Sequence, residues 1–379
     1  MRLLIAASNF PPVLGGIQTY AFELARALGK RCDQLLVVAP SAPGDREHDA
    51  RSGLDIKRLP AAGDDLALSG IAPLAWLLRR REFDVALATH WSPAYALLQA
   101  AKLAGRKLPV FVAVHGKELL HRPLGRLPFA QSLYDRARDF AWSQAAGFFP
   151  VSRRTAQLLE DAYVAPSRIT IVHNGVDPLH FRPRDASALR AQLTAGGPVL
   201  LSVARLVTRK GIDDVLRALP AVLQRHPATT YVILGDGPEY ARLARLAAEL
   251  GLTRNVCFLA EVTTDLTDYY NACDLFVMPA REEAADVEGF GLVFLEAGAC
   301  EKPVIGARAG GAVDAIVDRE TGLLVPPDDP ATLSQAIIDL LDDPARRKQL
   351  GEAARARILR EFTWDHAAAK MAARLTARD

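Results

Sequence analysis

Val199-Leu200-Leu201-Ser202-Val203-Ala204-Arg205-Leu206-Val207-Thr208-Arg209-Lys210-Gly211 is the stretch on which the fold turns. Its first five residues read as a strand buried on both faces, the signature of a parallel sheet. The chain then presents Arg205, Arg209 and Lys210 in a loop. Loops after parallel strands point toward the ligand crevice, where Arg and Lys neutralise phosphate, although basic residues are also common in solvated loops. Downstream, residues 231–234, 256–259, 275–278, 304–305 and 323–325 read as further strands, with helix patterns at 239–250 and 332–341. Upstream the same rhythm appears. Residues 3–7, 35–39, 85–89, 110–114, 148–151 and 169–172 read as strands, with helix patterns at 19–28, 94–103 and 131–145. A loop-rich stretch, 174–197, parts the two series. Strand-helix alternation implies right-handed crossovers and a parallel sheet covered on both faces. Two series predict an α/β protein of two Rossmann-like domains, 1–172 and 173–363, with a ligand cleft between the carboxyl ends of their strands.

Composition agrees. A chain of 379 residues, 50% hydrophobic and 24% charged, is globular and too long for one ordinary core. No apolar run reaches the length of a membrane span. Met1-Arg2-Leu3-Leu4-Ile5-Ala6-Ala7 is short for a signal peptide and reads as a first core strand. Cys32, Cys257, Cys273 and Cys300 lack metal-ligand spacing and read as reduced core residues of a cytoplasmic protein. The balance is not basic enough for nucleic acid.

The second informative stretch is Glu288-Gly289-Phe290-Gly291-Leu292-Val293-Phe294-Leu295-Glu296. A helix starting near Gly291 would carry Glu296 on its second turn and leave the N–H groups of Gly289, Phe290 and Gly291 at its positive end. Such N–H groups bind phosphate, and a carboxylate on each side accepts hydrogen bonds from sugar or ribose hydroxyls. The alternative is a tight turn that only packs. Gly15-Gly16 after the first strand lets a loop approach a phosphate or an acceptor. It is neither a Walker loop nor a dinucleotide fingerprint. His115-Gly116 ends another strand, where a histidine is either structural or turned to the cleft.

Taken together, Gly15-Gly16, His115-Gly116, Asn174-Gly175-Val176-Asp177, Arg205 with Lys210, Gly235-Asp236-Gly237-Pro238 and Glu288 with Glu296 resemble, in order and spacing, the retaining glycosyltransferases of family 4, which have the GT-B fold. Phe10-Pro11-Pro12, Gly15-Gly16-Ile17-Gln18 and His115-Gly116-x-Glu118 are most similar to bacterial mannosyltransferases acting on phosphatidylinositol mannosides. The resemblance implies two domains facing across a cleft, the first completed by a final helix, 364–379. It implies sugar transfer from a GDP- or UDP-linked donor to a lipid-linked or glycan acceptor, without a cofactor or metal; no Asp-x-Asp is present. It makes His115, Arg205, Lys210 and Glu288 catalytic and gives donor contacts to Gly15, Gly16, Arg205, Lys210, Gly289, Phe290, Gly291, Leu292 and Glu296. With no obvious nucleophile behind the sugar, it implies a front-face mechanism. An epimerase or phosphorylase of the same fold, or an inactive nucleotide-sugar-binding scaffold, are the competing readings. Two departures stand out. The run before Glu288 is stretched to Pro279-Ala280-Arg281-Glu282-Glu283-Ala284-Ala285-Asp286-Val287, and Asp314 follows Gly310-Gly311 where the family often has Glu.

Charge is uneven. Residues 1–172 hold 22 Lys and Arg against 15 Asp and Glu, whereas 173–379 hold 24 against 29. Trp76-Leu77-Leu78-Arg79-Arg80-Arg81, the run 121–129, and Arg136, Arg138, Phe140 and Trp142 combine basic and aromatic residues. They suit either an anionic membrane surface, on the inner face of the cytoplasmic membrane, or ordinary solvated helix faces.

Overall fold

The computed structural model describes residues 1–13, 15–60, 66–120, 128–260 and 264–377. The chain divides into two compact units, Met1–Asn174 with Trp364–Asp379, and Gly175–Thr363.

In the first unit six strands form one parallel sheet: β1 (Arg2–Ala6), β2 (Gln34–Pro40), β3 (Asp55–Leu59), β4 (Val85–Ala88), β5 (Val110–Val114) and β6 (Gly147–Pro150), in the order β3-β2-β1-β4-β5-β6. Ile5 lies between Val37 and Leu87, and all three are buried. β4 and β5 are buried along their whole length, which is why their sequences are unbroken apolar runs. The helix Arg153–Asp161 starts with a reciprocal cap: Ser152 Oγ accepts from Thr155 N (3.1 Å) and Thr155 Oγ1 from Ser152 N (2.9 Å).

Two expectations for this sheet need correction. Residues 169–172 are not a strand. Thr170 N and Val172 N donate to Phe148 O and Pro150 O, but Pro150 has no N–H to return, so the pairing stops at one bridge between Phe148 and Ile169. The sixth strand is instead β3, at the edge, whose half-exposed Asp-Ile-Lys-Arg-Leu sequence carries no continuous apolar signal.

The second unit repeats the plan with β7 (Val199–Val203), β8 (Thr230–Leu234), β9 (Val256–Leu259), β10 (Leu275–Met278), β11 (Val304–Ala307) and β12 (Leu323–Val325), in the order β12-β11-β10-β7-β8-β9. In both sheets the winding direction reverses beside the first strand, between β1 and β4 and between β7 and β10. In open parallel sheets ligands bind outside the carboxyl ends of the strands at such a reversal point.

The final helix, Trp364–Thr376, packs on the helix Gly16–Gly29 of the first unit. Trp364 meets the buried Tyr20 ring edge-on at 6.0 Å, and Lys30 Nζ pairs with Asp365 at 3.3 Å. Replacing Trp364 with Ala should therefore destabilise the first unit by about 3–5 kcal/mol, as for other buried tryptophans. Hydrogen exchange should quicken in the helix Gly16–Gly29 and stay slow in β7–β11. Equal acceleration in both units would count against this division of the chain.

Candidate active site

The loops after β7 and β10 meet at the second unit's reversal point, and a glycine sets how closely. Gly211 has φ +69°, and a Cβ there would stand 2.2 Å from Pro279 O. Arg281 N donates to Arg209 O (2.8 Å) and links the same two loops. The loop after β11 joins them: Gly311 N donates to Glu288 O at 2.7 Å, and a Cβ on Gly311 would lie 2.2 Å from Gly289 O.

Glu288 lies where these loops converge and is only 8% exposed. Its Oε2 accepts from Lys210 Nζ at 2.5 Å and from Arg209 Nη1 at 2.7 Å. Arg209 Nε also donates to Asp286 Oδ2 at 2.9 Å. Burial pushes the Glu288 carboxyl upward, but Lys210 and Arg209 outweigh it and hold the group at about 2. Burial pulls Lys210 down against the attraction of Glu288, while Arg209 is raised because Glu288 and Asp286 together outweigh its burial. Arg205, by contrast, is exposed, and its guanidinium makes no ion pair among the described residues. Of the three basic residues in this loop, two are tied to the carboxylate and one is open to an incoming anion.

The stretched acidic loop is pinned at both ends. At its start Arg281 Nη2 donates to the buried Asp213 (2.6 Å) and Asp214 (2.7 Å), and its Nη1 pairs with Asp328 (3.0 Å). At its end Asp286 and Glu288 hold Arg209. Between them Glu282 Oε1 accepts from Gly310 N (3.0 Å). Arg281, Asp213 and Asp214 carried no local motif. Arg209 was visible in the basic run, but nothing in the sequence set it above Arg205.

Gly291, at φ +89°, precedes the helix Leu292–Ala299. The N–H groups of Leu292 and Val293 open that helix and have no intrahelical acceptor. The Phe290 side chain is buried against Phe362 (5.8 Å), so only its backbone can meet a ligand. Glu296 sits on the second turn and accepts at Oε2 from Tyr270 Oη, 2.6 Å away. Burial raises its carboxyl to about 7, opposed by that hydrogen bond. Tyr270 lies 26 residues away in sequence, so spacing gave no hint of it.

In the first unit, Gly15 and Gly16 are exposed at the start of the helix Gly16–Gly29. A Cβ on Gly16 would meet nothing within 4 Å, so internal packing does not demand that glycine. Leu14 lies outside the described residues. The loop before it is held by Arg58, which donates to Pro11 O (2.5 Å) and Pro40 O (2.8 Å) while paired with Asp49 (2.6 Å). His115 ends β5; its Nε2 lies 3.2 Å from Thr89 O, and its ring meets Tyr20 edge-on at 4.7 Å. A carbonyl only accepts, so Nε2 carries the proton and Nδ1 is left with the lone pair. Burial pulls the imidazole below its ordinary range and favours the neutral ring.

Of the basic and aromatic residues that the sequence grouped, Arg136 and Phe140 are exposed, while others are engaged within the protein. Trp76 is exposed between Lys57 (4.5 Å) and Arg80 (3.9 Å), whereas Arg79 donates to Leu103 O and Arg81 pairs with Asp55. Trp142 is buried in the core and Arg138 pairs with Asp135. Residues 121–127 and the side chains of 128–130 lie outside the described residues. Among the described residues no helix is long and apolar enough to cross a membrane.

Two Rossmann-like units with their loops gathered at the reversal points are the architecture of GT-B glycosyltransferases. Anabaena Alr3699/HepE in complex with UDP has this fold (TM-score 0.81, 23% identity, 99% of this chain and 100% of that one). So does WaaG, a glycosyltransferase involved in lipopolysaccharide biosynthesis (TM-score 0.72, 18% identity, 99% of this chain and 100% of that one). Residues 14–179 match Glycosyltransferase Family 4 and residues 185–357 match Glycosyl transferases group 1. The chain is 33% identical, over 99% of its length and 98% of the other, to the GDP-mannose-dependent alpha-(1-6)-phosphatidylinositol monomannoside mannosyltransferase of Mycolicibacterium smegmatis. It is 30% identical to the monoacylated-acceptor counterpart of Corynebacterium glutamicum, over 96% of this chain and 95% of that one. The chain belongs to the family 4 glycosyltransferases and is an enzyme of sugar transfer from a nucleotide sugar.

The two carboxylates give opposite pH signatures. The folded state holds a proton on Glu296 that the unfolded chain loses above its ordinary value of 4.5, so this contribution is present at low pH and is lost as pH rises to about 7. The slope is at most about 1.4 kcal/mol per pH unit. Glu288 contributes above its ordinary 4.5, and that stability is lost as pH falls toward about 2. Denaturant melts of the second unit should show Glu296→Gln flattening the decline between pH 5 and 7. Parallel curves for wild type and variant would show that Glu296 does not titrate there.

Proposed function

We propose that this enzyme transfers mannose with retention from GDP-mannose to a phosphatidylinositol-mannoside lipid, and that it needs no metal ion. The observation that carries the reading is the likeness, over 99% of the chain, to a protein named for that donor and that acceptor class. The site supports it chemically. As the glycosidic bond breaks, negative charge grows on the leaving diphosphate. Arg205, Lys210 and the N–H groups from Gly289 through Gly291 to Leu292 are the donors that meet it, positioned before reaction begins. Arg209 keeps Glu288 company when Lys210 turns to phosphate, so the carboxylate stays ionised and accepts from the sugar hydroxyls. Glu296 takes the ribose. From the first unit, His115 contacts the sugar through Nδ1 and Gly15-Gly16 leaves room for the donor or the acceptor. No side chain forms a covalent bond to the sugar: the acceptor hydroxyl attacks the face that the diphosphate leaves, and a phosphate oxygen takes its proton.

Replacing Arg205 or Lys210 with Ala should cut turnover about a hundredfold or more, in line with lost transition-state donors. The assay uses GDP-[14C]mannose and phosphatidylinositol monomannoside, in excess chelator throughout. Near-normal turnover in both variants would remove them from the site, and activity that vanishes in chelator and returns with magnesium would show that a cation shares their work.

On this reading the first unit works against an anionic leaflet, the inner face of the cytoplasmic membrane. Trp76 flanked by Lys57 and Arg80 is the group suited to that surface, since each nearby cation contributes roughly 1 kcal/mol. Sedimentation with phosphatidylglycerol vesicles should show binding that fades as salt rises. Charge reversal at Lys57 and Arg80 should weaken it further. A protein that ignores such vesicles at low salt would point to a soluble acceptor.

A further inference from the structure

Tyr270 lies outside every motif that marks the site, yet its hydroxyl touches one of the site's two carboxylates. The side chain is wholly buried. Its ring is held edge-on by Phe181 at 6.0 Å and tilted against Phe276 at 5.7 Å. A buried phenol hydroxyl must find an acceptor. Here the acceptor is Glu296 Oε2 at 2.6 Å, and Glu296 Oε1 has no partner among the described residues. For packing alone a phenylalanine would serve as well and would bring no polar group to satisfy. The terminal torsion of a glutamate is otherwise broad, and one hydrogen bond from a locked ring fixes the carboxylate plane.

We propose that Tyr270 is the positioning residue for ribose recognition: its hydroxyl occupies Oε2 of Glu296 and so presents Oε1 to the ribose hydroxyls of the donor. The proposal rests on the reading above that Glu296 takes the ribose. The same aromatic row reaches the other end of the site. Phe276 meets Phe294 edge-on at 5.7 Å, and Phe294 is the ring that a Cβ on Gly291 would strike at 2.6 Å. Tyr270 and the turn at the helix start are thus held by one layer of rings.

The hydrogen bond also sets where Glu296 titrates. Burial raises the carboxyl and the Tyr270 hydroxyl lowers it. The other ionisable groups on the elements around it are engaged elsewhere. On the helix Leu266–Ala272, Asp268 pairs with Arg184, and Tyr269 is buried in its own contacts. On the helix Pro344–Glu361, Arg355 donates to Ala299 O and Arg357 to Asp314 O and Ala315 O. Asp314, on the short helix Ala312–Ala315, is buried with partners of its own. Lys302 donates to Asn271 O at 2.9 Å, and burial pushes the thiols of Cys273 and Cys300 up to about 12. β11 carries no ionisable side chain. Loss of the Tyr270 hydroxyl therefore moves the Glu296 titration to higher pH.

The test is calorimetric titration of the full chain with GDP and with 2′,3′-dideoxy-GDP, for wild type, Tyr270→Phe and Glu296→Gln. Wild type should prefer GDP by roughly tenfold or more, the worth of hydrogen bonds to a charged group. Tyr270→Phe keeps the ring contacts. It should cut that preference at least about threefold, by loss of one orienting hydrogen bond, and leave the dideoxy affinity unchanged. Its KM for GDP-mannose should rise with kcat nearly constant, and the pH below which GDP affinity falls should move upward. An unchanged preference in Tyr270→Phe, with the preference lost in Glu296→Gln, overturns the role of Tyr270 alone. A preference unchanged in Glu296→Gln overturns the ribose reading and this proposal with it. Wild-type protein carrying 13Cζ-tyrosine gives a measurement independent of any variant: the Tyr270 signal should shift with GDP and not with the dideoxy analogue, and equal shifts with both would overturn the proposal.

Discussion

Glu288 is a carboxylate taken almost wholly out of water and kept charged by two cations. Such a pair is a poor way to gain stability, because desolvating the charges costs about as much as their attraction returns. Its position explains its presence. Lys210 and Arg209 come from the loop after β7, Glu288 and Asp286 from the loop after β10, and the Glu288 carbonyl receives Gly311 from the loop after β11. Three loops are fastened at one residue: its own, the loop after β7 through its side chain, and the loop after β11 through its backbone carbonyl. In the proposed reaction a phosphate that drew Lys210 away would leave Glu288 still held by Arg209, so the buried carboxylate would not be left bare.

The two glutamates of the motif differ in kind although they are eight positions apart. Glu288 is surrounded by cations and held at about 2, whereas Glu296 faces a phenol and lies at about 7. One is a fixed acceptor at every physiological pH. The other is poised to gain or lose a proton near neutrality. The difference comes from their neighbours alone, cations beside one carboxylate and burial beside a phenol for the other.

Much of this was readable from the chain. β5, β7, β9, β10 and β12 stand where the apolar runs placed them. β5 and β10 are buried along their whole length, and the edge strands β9 and β12, though less buried, keep unbroken apolar sequences. What the sequence hid had two causes. β3 is an edge strand whose charged, alternating residues look like a loop, and 169–172 looks like a strand but is halted by Pro150 on its neighbour. Within the site, the motif residues were visible because they lie close together in sequence. Tyr270 was not, because it reaches Glu296 through the packing of a helix 26 residues away; Arg281 and Asp213 lie beside the motifs, but no spacing announces that they pair. The run 76–81 shows the converse: three adjacent arginines look like one patch, yet each side chain has a separate engagement.

The final helix has a consequence for how the chain is made. Residues from Trp364 onward belong to the first unit, and the whole of Gly175–Thr363 is synthesised in between. At roughly 5–20 residues per second the ribosome takes on the order of ten seconds or more to cover that interval. Until then the face of the helix Gly16–Gly29 that receives Trp364 has no cover, while the second unit, continuous in sequence, can close on its own. Val176 N donates to Phe362 O (2.9 Å), so the outgoing and returning segments run side by side in the second unit. The closing helix of the unit begun first is thus the last part of it to be made, after the whole of the second unit.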